Sequence, residues 1–333
     1  MIYYHNTLER YKVTMNIKRN ILHLIESYDQ IIIHRHLRPD MDAIGSQYGL
    51  YLTIKENYPD KRVYVVGDSN DMVYLAKMDV IPDAYYINAL AIITDVSVSR
   101  LISDDRYKLA TDVIIIDHHQ NDTDVENVTL FYKDPTFASA SEMIVDIIKE
   151  MNLKVTPEAA TYLYGGMVTD TGRFLYLNNA SKTFELASYI TKFEPSVQDF
   201  YDYIYTEPLQ KRLTKNLFSS FEITENGVAY RKNDAELIQK SGLEFQAISR
   251  GMVNQMAGIK EIPIWANFTE DVENNLIVGE FRARGITIVD IAKKFGGGGH
   301  NQACGASLKD WNEVDLVLKD LDERAKENAK NIK

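Results

Sequence analysis

Three residues at the end of an apolar run, Asp117-His118-His119 after Ile114-Ile115-Ile116, combine the side chains that bind divalent metals and move protons. In an α/β fold, ligands gather outside the carboxyl ends of the strands, so a strand ending this way delivers chemistry to the right edge. Three other acidic motifs are placed comparably. In His36-Leu37-Arg38-Pro39-Asp40-Met41-Asp42, Pro39 stops the preceding strand, so that His36, Asp40 and Asp42 can converge from a loop. Asp95 closes Ala91-Ile92-Ile93-Thr94, and Asp170 follows Gly165-Gly166-Met167-Val168-Thr169. Taken singly, Asp42 and Asp95 read as helix caps, Asp170 as a turn residue and the paired histidines as the start of a solvated loop. Together they supply two histidines and four carboxylates without any sulfur. Such a set suits hard-to-borderline ions, Mn²⁺ or Mg²⁺, over structural zinc. It is too large for one open catalytic ion and fits two ions sharing a carboxylate. Two ions ~3.5–4 Å apart clamp a phosphoester during hydrolysis. The residues point to a two-metal phosphoesterase.

The elements that must position them follow from periodicity. Ile31–His34, Arg62–Val66, Leu90–Thr94 and Val113–Ile116 are continuous apolar runs, as in strands buried on both faces. Amphipathic segments alternate with or follow them: 43–57, 139–150 and 158–168, the last opened by Pro157 after Thr156 as cap. This pattern predicts an α/β fold with a doubly wound parallel sheet over residues 1–194. A Tyr-rich helical connector is expected over 195–218. A smaller α+β domain over 219–333 follows, across a cleft from the first. Its strands are expected at 221–224, 227–231, 262–269 and 276–281, with an Asn226-Gly227 hairpin cue. A helix at 287–295, the run Gly296–Gly299, a short strand and a charged helix at 312–328 complete it.

The chain has 333 residues and a net charge of −11, which argues against coating duplex DNA, where many phosphates must be neutralised. A bound divalent cation can still reverse the field inside one cleft. The single cysteine, Cys304, allows no intramolecular disulfide and is expected as a small buried residue. No apolar run approaches the ~20 residues of a membrane span. Met1–Thr14 lacks the apolar core of a signal sequence, so a cytoplasmic location is expected.

The four motifs, in this order, resemble the DHH phosphoesterase superfamily. Arg282-Ala283-Arg284 and Phe295-Gly296-Gly297-Gly298-Gly299-His300 resemble its DHHA1 partner domain. The likeness covers nearly the whole chain and is most similar to the nanoRNase (oligoribonuclease)/pAp-phosphatase group. It implies that His36 and Asp40 hold one ion, that Asp42, His118 and Asp170 hold the other, and that Asp95 bridges them. It further implies Mn²⁺ as the ion, with Mg²⁺ or another divalent ion as the alternative. His119 would face the scissile phosphate, and Asp117 would orient the histidine pair. His34 is expected as a strand-end residue, not a ligand. Arg35, Arg38 and Arg173 are either surface charges or phosphate contacts.

The glycine run could be a linker or a helix C-cap, yet it ends in His300 and lets backbone approach a ligand closely. Arg282 and Arg284 share a strand face by the period of two. With Gly297, Gly298, Gly299 and His300 they would bind substrate away from the ions, although Ala283 stands where a small hydroxyl residue is expected. The expected substrates are short oligoribonucleotides, linear dinucleotides and 3′-phosphoadenosine-5′-phosphate (pAp). Duplex DNA and membranes are not expected as partners, and a homodimer is left open. An inorganic pyrophosphatase or polyphosphatase is the alternative enzyme, and a non-catalytic nucleotide-binding regulator is the alternative outside catalysis.

Overall fold

The computed structural model describes residues 7–68 and 77–331. Of the N-terminal segment weighed above as a leader, residues 1–6 lie outside the described residues. The chain divides into two compact units, Met1–Thr206 and Glu207–Lys333.

The first unit opens with α1 (Thr7–Ser27) and then winds β1 (Gln30–His34), α2 (Met41–Asn57), β2 (Arg62–Val65), β3 (Leu90–Thr94), β4 (Asp112–Asp117) and β5 (Leu130–Lys133). The strands form one sheet in the order β2-β1-β3-β4-β5, and every pair is parallel. β5 carries only one buried residue, Tyr132, so its apolar run was too weak to read in advance. The helices α3 (Ala140–Met151), α4 (Pro157–Asp170), α5 (Ala180–Ile190) and α6 (Val197–Tyr205) follow. β1 and β3 are buried at every position, and alternate residues point into different cores: Ile31 and Ile33 with Ile92, Ile44 and Leu163, against Ala91 and Ile93 with Tyr107. Thr156 caps α4 through the N–H of Ala159, with Pro157 in the first turn.

The second unit contains α7 (Leu209–Asn216), β6 (Glu222–Ile223), β7 (Val228–Asn233), α8 (Ala235–Ser241), α9 (Phe245–Ser249), β8 (Ile264–Asp271) and β9 (Leu276–Ala283). It ends with α10 (Val289–Lys294), β10 (Gly298–His300), β11 (Ala303–Leu308) and α11 (Trp311–Asn331). Its sheet runs β10-β11-β9-β8-β7-β6 and is mixed, since only β7 and β8 pair in parallel. The helical stretch expected over 195–218 breaks at Thr206-Glu207-Pro208, so α6 belongs to the first unit and α7 to the second. The glycine run is a helix C-cap that passes into a strand: the Gly296 N–H donates to the Lys293 carbonyl (3.1 Å) and the Gly297 N–H to the Ala292 carbonyl (2.9 Å). Gly298–His300 is an edge strand paired antiparallel with β11. Gly299 (φ +131°) shows why glycine is needed, since a Cβ there would lie 2.7 Å from the Ala303 carbonyl oxygen. No helix among the described residues is long and apolar enough to cross a membrane.

Candidate metal centre

Strand order reverses between β1 and β3, which is where a doubly wound sheet opens a crevice at its carboxyl edge. The segment after β1 carries His36, Asp40 and Asp42, and the residue after β3 is Asp95. β4 then delivers Asp117, His118 and His119 beside them, and the C-terminal end of α4 brings Asp170. A cavity of about 290 Å³ is lined by His36, Asp40, Asp95, Asp117, His119 and Asp170, with Asn121, Ser97 and Leu101 among its other walls.

Each side chain is placed by its own local device. Asp40 is the N-cap of α2 and accepts the N–H groups of Asp42 and Ala43, both at 3.0 Å. Asp42 is buried in the first turn of α2, yet its oxygens accept N–H donors from Ala140 (2.7 Å) and Ser141 (2.9 Å). One carboxylate thus also occupies the positive end of α3. Gly166 makes room, because a Cβ there would stand 2.7 Å from Asp42 Oδ1. His36 donates Nδ1–H to the Leu37 carbonyl at 2.8 Å, which leaves Nε2 for the cavity. Asp95 adopts a left-handed backbone (φ +62°), uncommon outside glycine, with its N–H donating to the Ile116 carbonyl at 3.0 Å.

These devices bring the carboxylates and imidazoles to one place. His36 Nε2 lies 3.4 Å from Asp95 Oδ2, and His118 Nε2 lies 3.4 Å from Asp95 Oδ1. Asp95 therefore presents one oxygen to each histidine. His36 Nε2 is 3.7 Å from Asp40, while His118 Nε2 is 3.4 Å from Asp170 and 4.0 Å from Asp42. Donor atoms of His36, Asp40 and Asp95 all fall within 4.8 Å of one another, as do those of Asp42, His118 and Asp170. The set Asp95, His118 and His119 meets the same condition. Oδ1 of Asp95 is buried without a hydrogen-bond partner, an arrangement that is costly unless a cation shares the site. The residues fit bound metal.

The electrostatics agree. Burial opposes charge on His36, but Asp40 and Asp95 outweigh it and hold the imidazole up to about 10. His118 is raised to about 9 against the same opposition, by Asp95, Asp42 and Asp170. Burial and the neighbouring carboxylates push Asp42 well above the usual range, and Asp170 is raised to about 6, first by burial. Several anions crowd a small volume and retain protons in compensation, which a divalent cation would replace.

His119 lies close to this set, its Nδ1 3.7 Å from Asp95 Oδ1, but is engaged by a different carboxylate. Its Nδ1 is 2.7 Å from Asp117 Oδ1, it is about half exposed, and it is raised chiefly by that hydrogen bond. His34 is fully buried between Tyr86 and Tyr107 and lowered to about 4 by burial, so it is a core residue. Arg35 is buried against Asp68, which removes it as a phosphate contact. Arg38 is exposed, and Arg173 packs over the Tyr205 ring at 5.8 Å.

In the second unit a pocket of about 620 Å³ brings together Arg282, Gly297, Gly298, Gly299 and His300, with Arg250, Glu280 and Cys304. Arg284 does not line it, which corrects the shared-face expectation. β9 ends at Ala283, and the Arg284 guanidinium instead donates to the carbonyls of Ile259 (3.3 Å) and Lys260 (2.8 Å). Sequence reasoning missed Asn121 in the first cavity and Arg250 and Glu280 in this one. It also passed over the Ser139-x-x-Glu142 pattern, a legible cue to the helix end that receives Asp42: Ser139 Oγ accepts the Glu142 N–H (3.0 Å), and Glu142 accepts the N–H of Ala138 (2.7 Å).

Residues 30–167 match the DHH family N-terminal domain and residues 237–327 match the DHHA1 domain. The chain is 34% identical to the bifunctional oligoribonuclease and PAP phosphatase NrnA of Bacillus subtilis, over 94% of this chain and all of that one. It is 35% identical to the probable bifunctional oligoribonuclease and PAP phosphatase NrnA of Streptococcus mutans, over 92% and 99% of the two chains. The crystal structure of an exopolyphosphatase-related protein from Bacteroides fragilis superposes with a TM-score of 0.76 at 25% identity, covering 96% and 98% of the two chains. With a metal-competent acidic and imidazole cluster at the switch point of its first sheet, this chain belongs to the DHH/DHHA1 phosphoesterase family.

Proposed function

We propose that this enzyme hydrolyses short nucleotide phosphoesters: nanoRNA and linear dinucleotides by phosphodiester cleavage, and pAp by removal of a phosphate. The observation that carries this reading is the pair of donor sets meeting at Asp95, on a chain similar over nearly its whole length to relatives named for both activities. His36 and Asp40 would hold one divalent ion and Asp42, His118 and Asp170 a second, with Asp95 between them; Mn²⁺ is the proposed species. Bound there, such ions would neutralise phosphoryl charge and make a water nucleophilic near neutral pH.

The chain's own residues do the rest. Asp117 fixes His119 through Nδ1, which leaves Nε2 as the nitrogen free to donate a proton to a phosphoryl or leaving-group oxygen. Val96, Val98 and Leu101 give the cavity an apolar side that limits water around the reacting phosphate. In the second unit, Arg282 and the backbone of Gly297–His300 would bind a substrate phosphate or base. The test is a product time course on pAp, a linear dinucleotide and 5′-labelled oligoribonucleotides of two to about 25 residues, with pyrophosphate as control. Turnover of the short nucleotides with Mn²⁺ supports the reading. Turnover of pyrophosphate alone, or nucleotide binding without turnover, overturns it.

A further inference from the structure

Asp68 is absent from the candidate ligands, yet it is one of two anchors of the loop that carries His36, the other being the bridge of His36 to Ile102 with the Leu37 N–H donating to the Leu101 carbonyl (2.7 Å). Asp68 lies just beyond β2, and three donors converge on its carboxylate: the Arg35 guanidinium (2.9 Å), the backbone N–H of Arg38 (3.1 Å) and the Ser103 hydroxyl. Arg35, only 2% exposed, donates onward to the Asp68 carbonyl (2.5 Å) and to the His36 carbonyl (3.1 Å). The Ser103 N–H donates to the Arg35 carbonyl (2.9 Å), and its hydroxyl accepts the Asp68 N–H (2.6 Å). Residues 35–38 are therefore tied at both ends of the turn to one carboxylate.

The turn needs such a tie. Arg38 adopts a left-handed backbone (φ +51°) that side chains other than glycine rarely hold without support. This conformation leads into Pro39 and Asp40, and so sets how His36 Nε2 and Asp40 face each other across 3.7 Å. The second donor set of Asp42, His118 and Asp170 hangs on α2, α3, β4 and α4, none of which Asp68 touches through these bonds.

The geometry points to Asp68 as a positioning residue for one ion only, the one assigned to His36 and Asp40. This rests on the two-ion reading above. Outer partners of metal ligands commonly contribute 10–100-fold in metal affinity. Asp68 bonds no ligand directly but acts through Arg35 and Arg38, so Asp68→Ala is expected to weaken one of two Mn²⁺ ions by roughly tenfold, the low end of that range, and to leave the other near wild type. The affected ion identifies itself by combination. Asp68→Ala added to Asp170→Ala should strip the remaining ion, whereas added to His36→Ala it should change little.

The experiment is a Mn²⁺ titration of the chelator-stripped full chain, with free Mn²⁺ read by electron paramagnetic resonance and melting recorded in parallel. Asp68→Asn, isosteric and neutral, replaces the alanine form if that does not fold. Arg38→Gly, which suits a positive φ, should partly restore the weakened ion in the Asp68→Ala background. Selective weakening with this rescue supports the inference. Two unchanged ions in Asp68→Ala, or equal loss of both with no rescue, overturns it while leaving the two-ion site standing. A wild-type chain that takes up fewer than two ions overturns the two-ion reading and this inference together.

Discussion

Oδ1 of Asp117 accepts two hydrogen bonds from one residue, the Nδ1–H (2.7 Å) and the backbone N–H (3.2 Å) of His119. A buried carboxylate so engaged fixes both the tautomer and the tilt of the ring. His119→Ala is expected to lower kcat by about 10²–10⁴, the usual span of a proton-transferring group. Mn²⁺ content should remain that of wild type, since His36, Asp40, Asp42, Asp95, His118 and Asp170 are untouched. Loss of an ion in the desalted variant would instead make His119 a ligand. Asp117→Asn should reproduce part of the kcat loss with the ring still present.

Asp95 faces His36 with one oxygen and His118 with the other. Asp95→Ala is expected to abolish hydrolysis and to lower occupancy of both ions, whereas Asp170→Ala should chiefly empty one. Metal analysis after gel filtration separates the two outcomes. Full occupancy in the Asp95 variant would end its assignment as the bridge.

The contrast between these residues and the ones that support them shows what the chain discloses before folding. His36, Asp40, Asp42, Asp95, His118 and Asp170 are legible because each follows a β-branched run or borders a helix, and parallel sheets place such ends together. The supports are not legible. Asp68 has no motif, and its partners at 35, 38 and 103 are joined only by the crossing of β1, β2 and the segment after β3. Arg284 misled for a related reason: alternation assigns a face only while the strand continues, and β9 stops one residue earlier. Gly298 and Gly299 gave no strand signal because glycine lacks the side chain on which strand propensity rests.

Arg282, not Arg284, shares the second-unit pocket with the glycine edge and His300. Hydrogen bonds to charged groups are worth about 1.5–3 kcal/mol, or roughly 10–100-fold in binding. Arg282→Ala is expected to raise KM for a linear dinucleotide and pAp by that factor while sparing a small chromogenic phosphodiester. Arg284→Ala should leave both substrates closer to wild type and lower the melting temperature slightly, through the lost carbonyl contacts. Parallel steady-state kinetics on the two substrates decide it; equal losses on both would refute a nucleotide-gripping role for Arg282.

Cys304 is 3% exposed on β11, and burial pushes its thiol up to about 11. It should therefore react slowly with an aromatic disulfide reagent at pH 8 in the native state and stoichiometrically in denaturant. Fast native labelling would show that β11 opens readily. Unchanged activity after blocking under denaturing conditions and refolding would confirm that the sulfur has no catalytic part.

Metal should matter more to stability as pH rises. Without metal, His36 and His118 are held at about 10 and about 9, above their ordinary 6.5, and Asp170 at about 6, above 3.8. All three shifts share one sign: the folded chain binds more protons than the unfolded one between the two values. Their contribution is complete below the unfolded values and is lost as pH passes the folded ones, for Asp170 between about 4 and 6 and for the histidines between about 6.5 and 10. A bound divalent cation requires those imidazoles neutral and supplies the missing positive charge itself, so it replaces the protons it expels. The gap in melting temperature between the Mn²⁺-loaded and chelator-treated chain should accordingly widen from pH 6.5 to pH 9. Comparing the two forms at each pH cancels titrations elsewhere in the chain. A gap that stays constant or narrows over this range would show that the imidazoles are already neutral in the metal-free fold, and that the carboxylates tolerate one another without them.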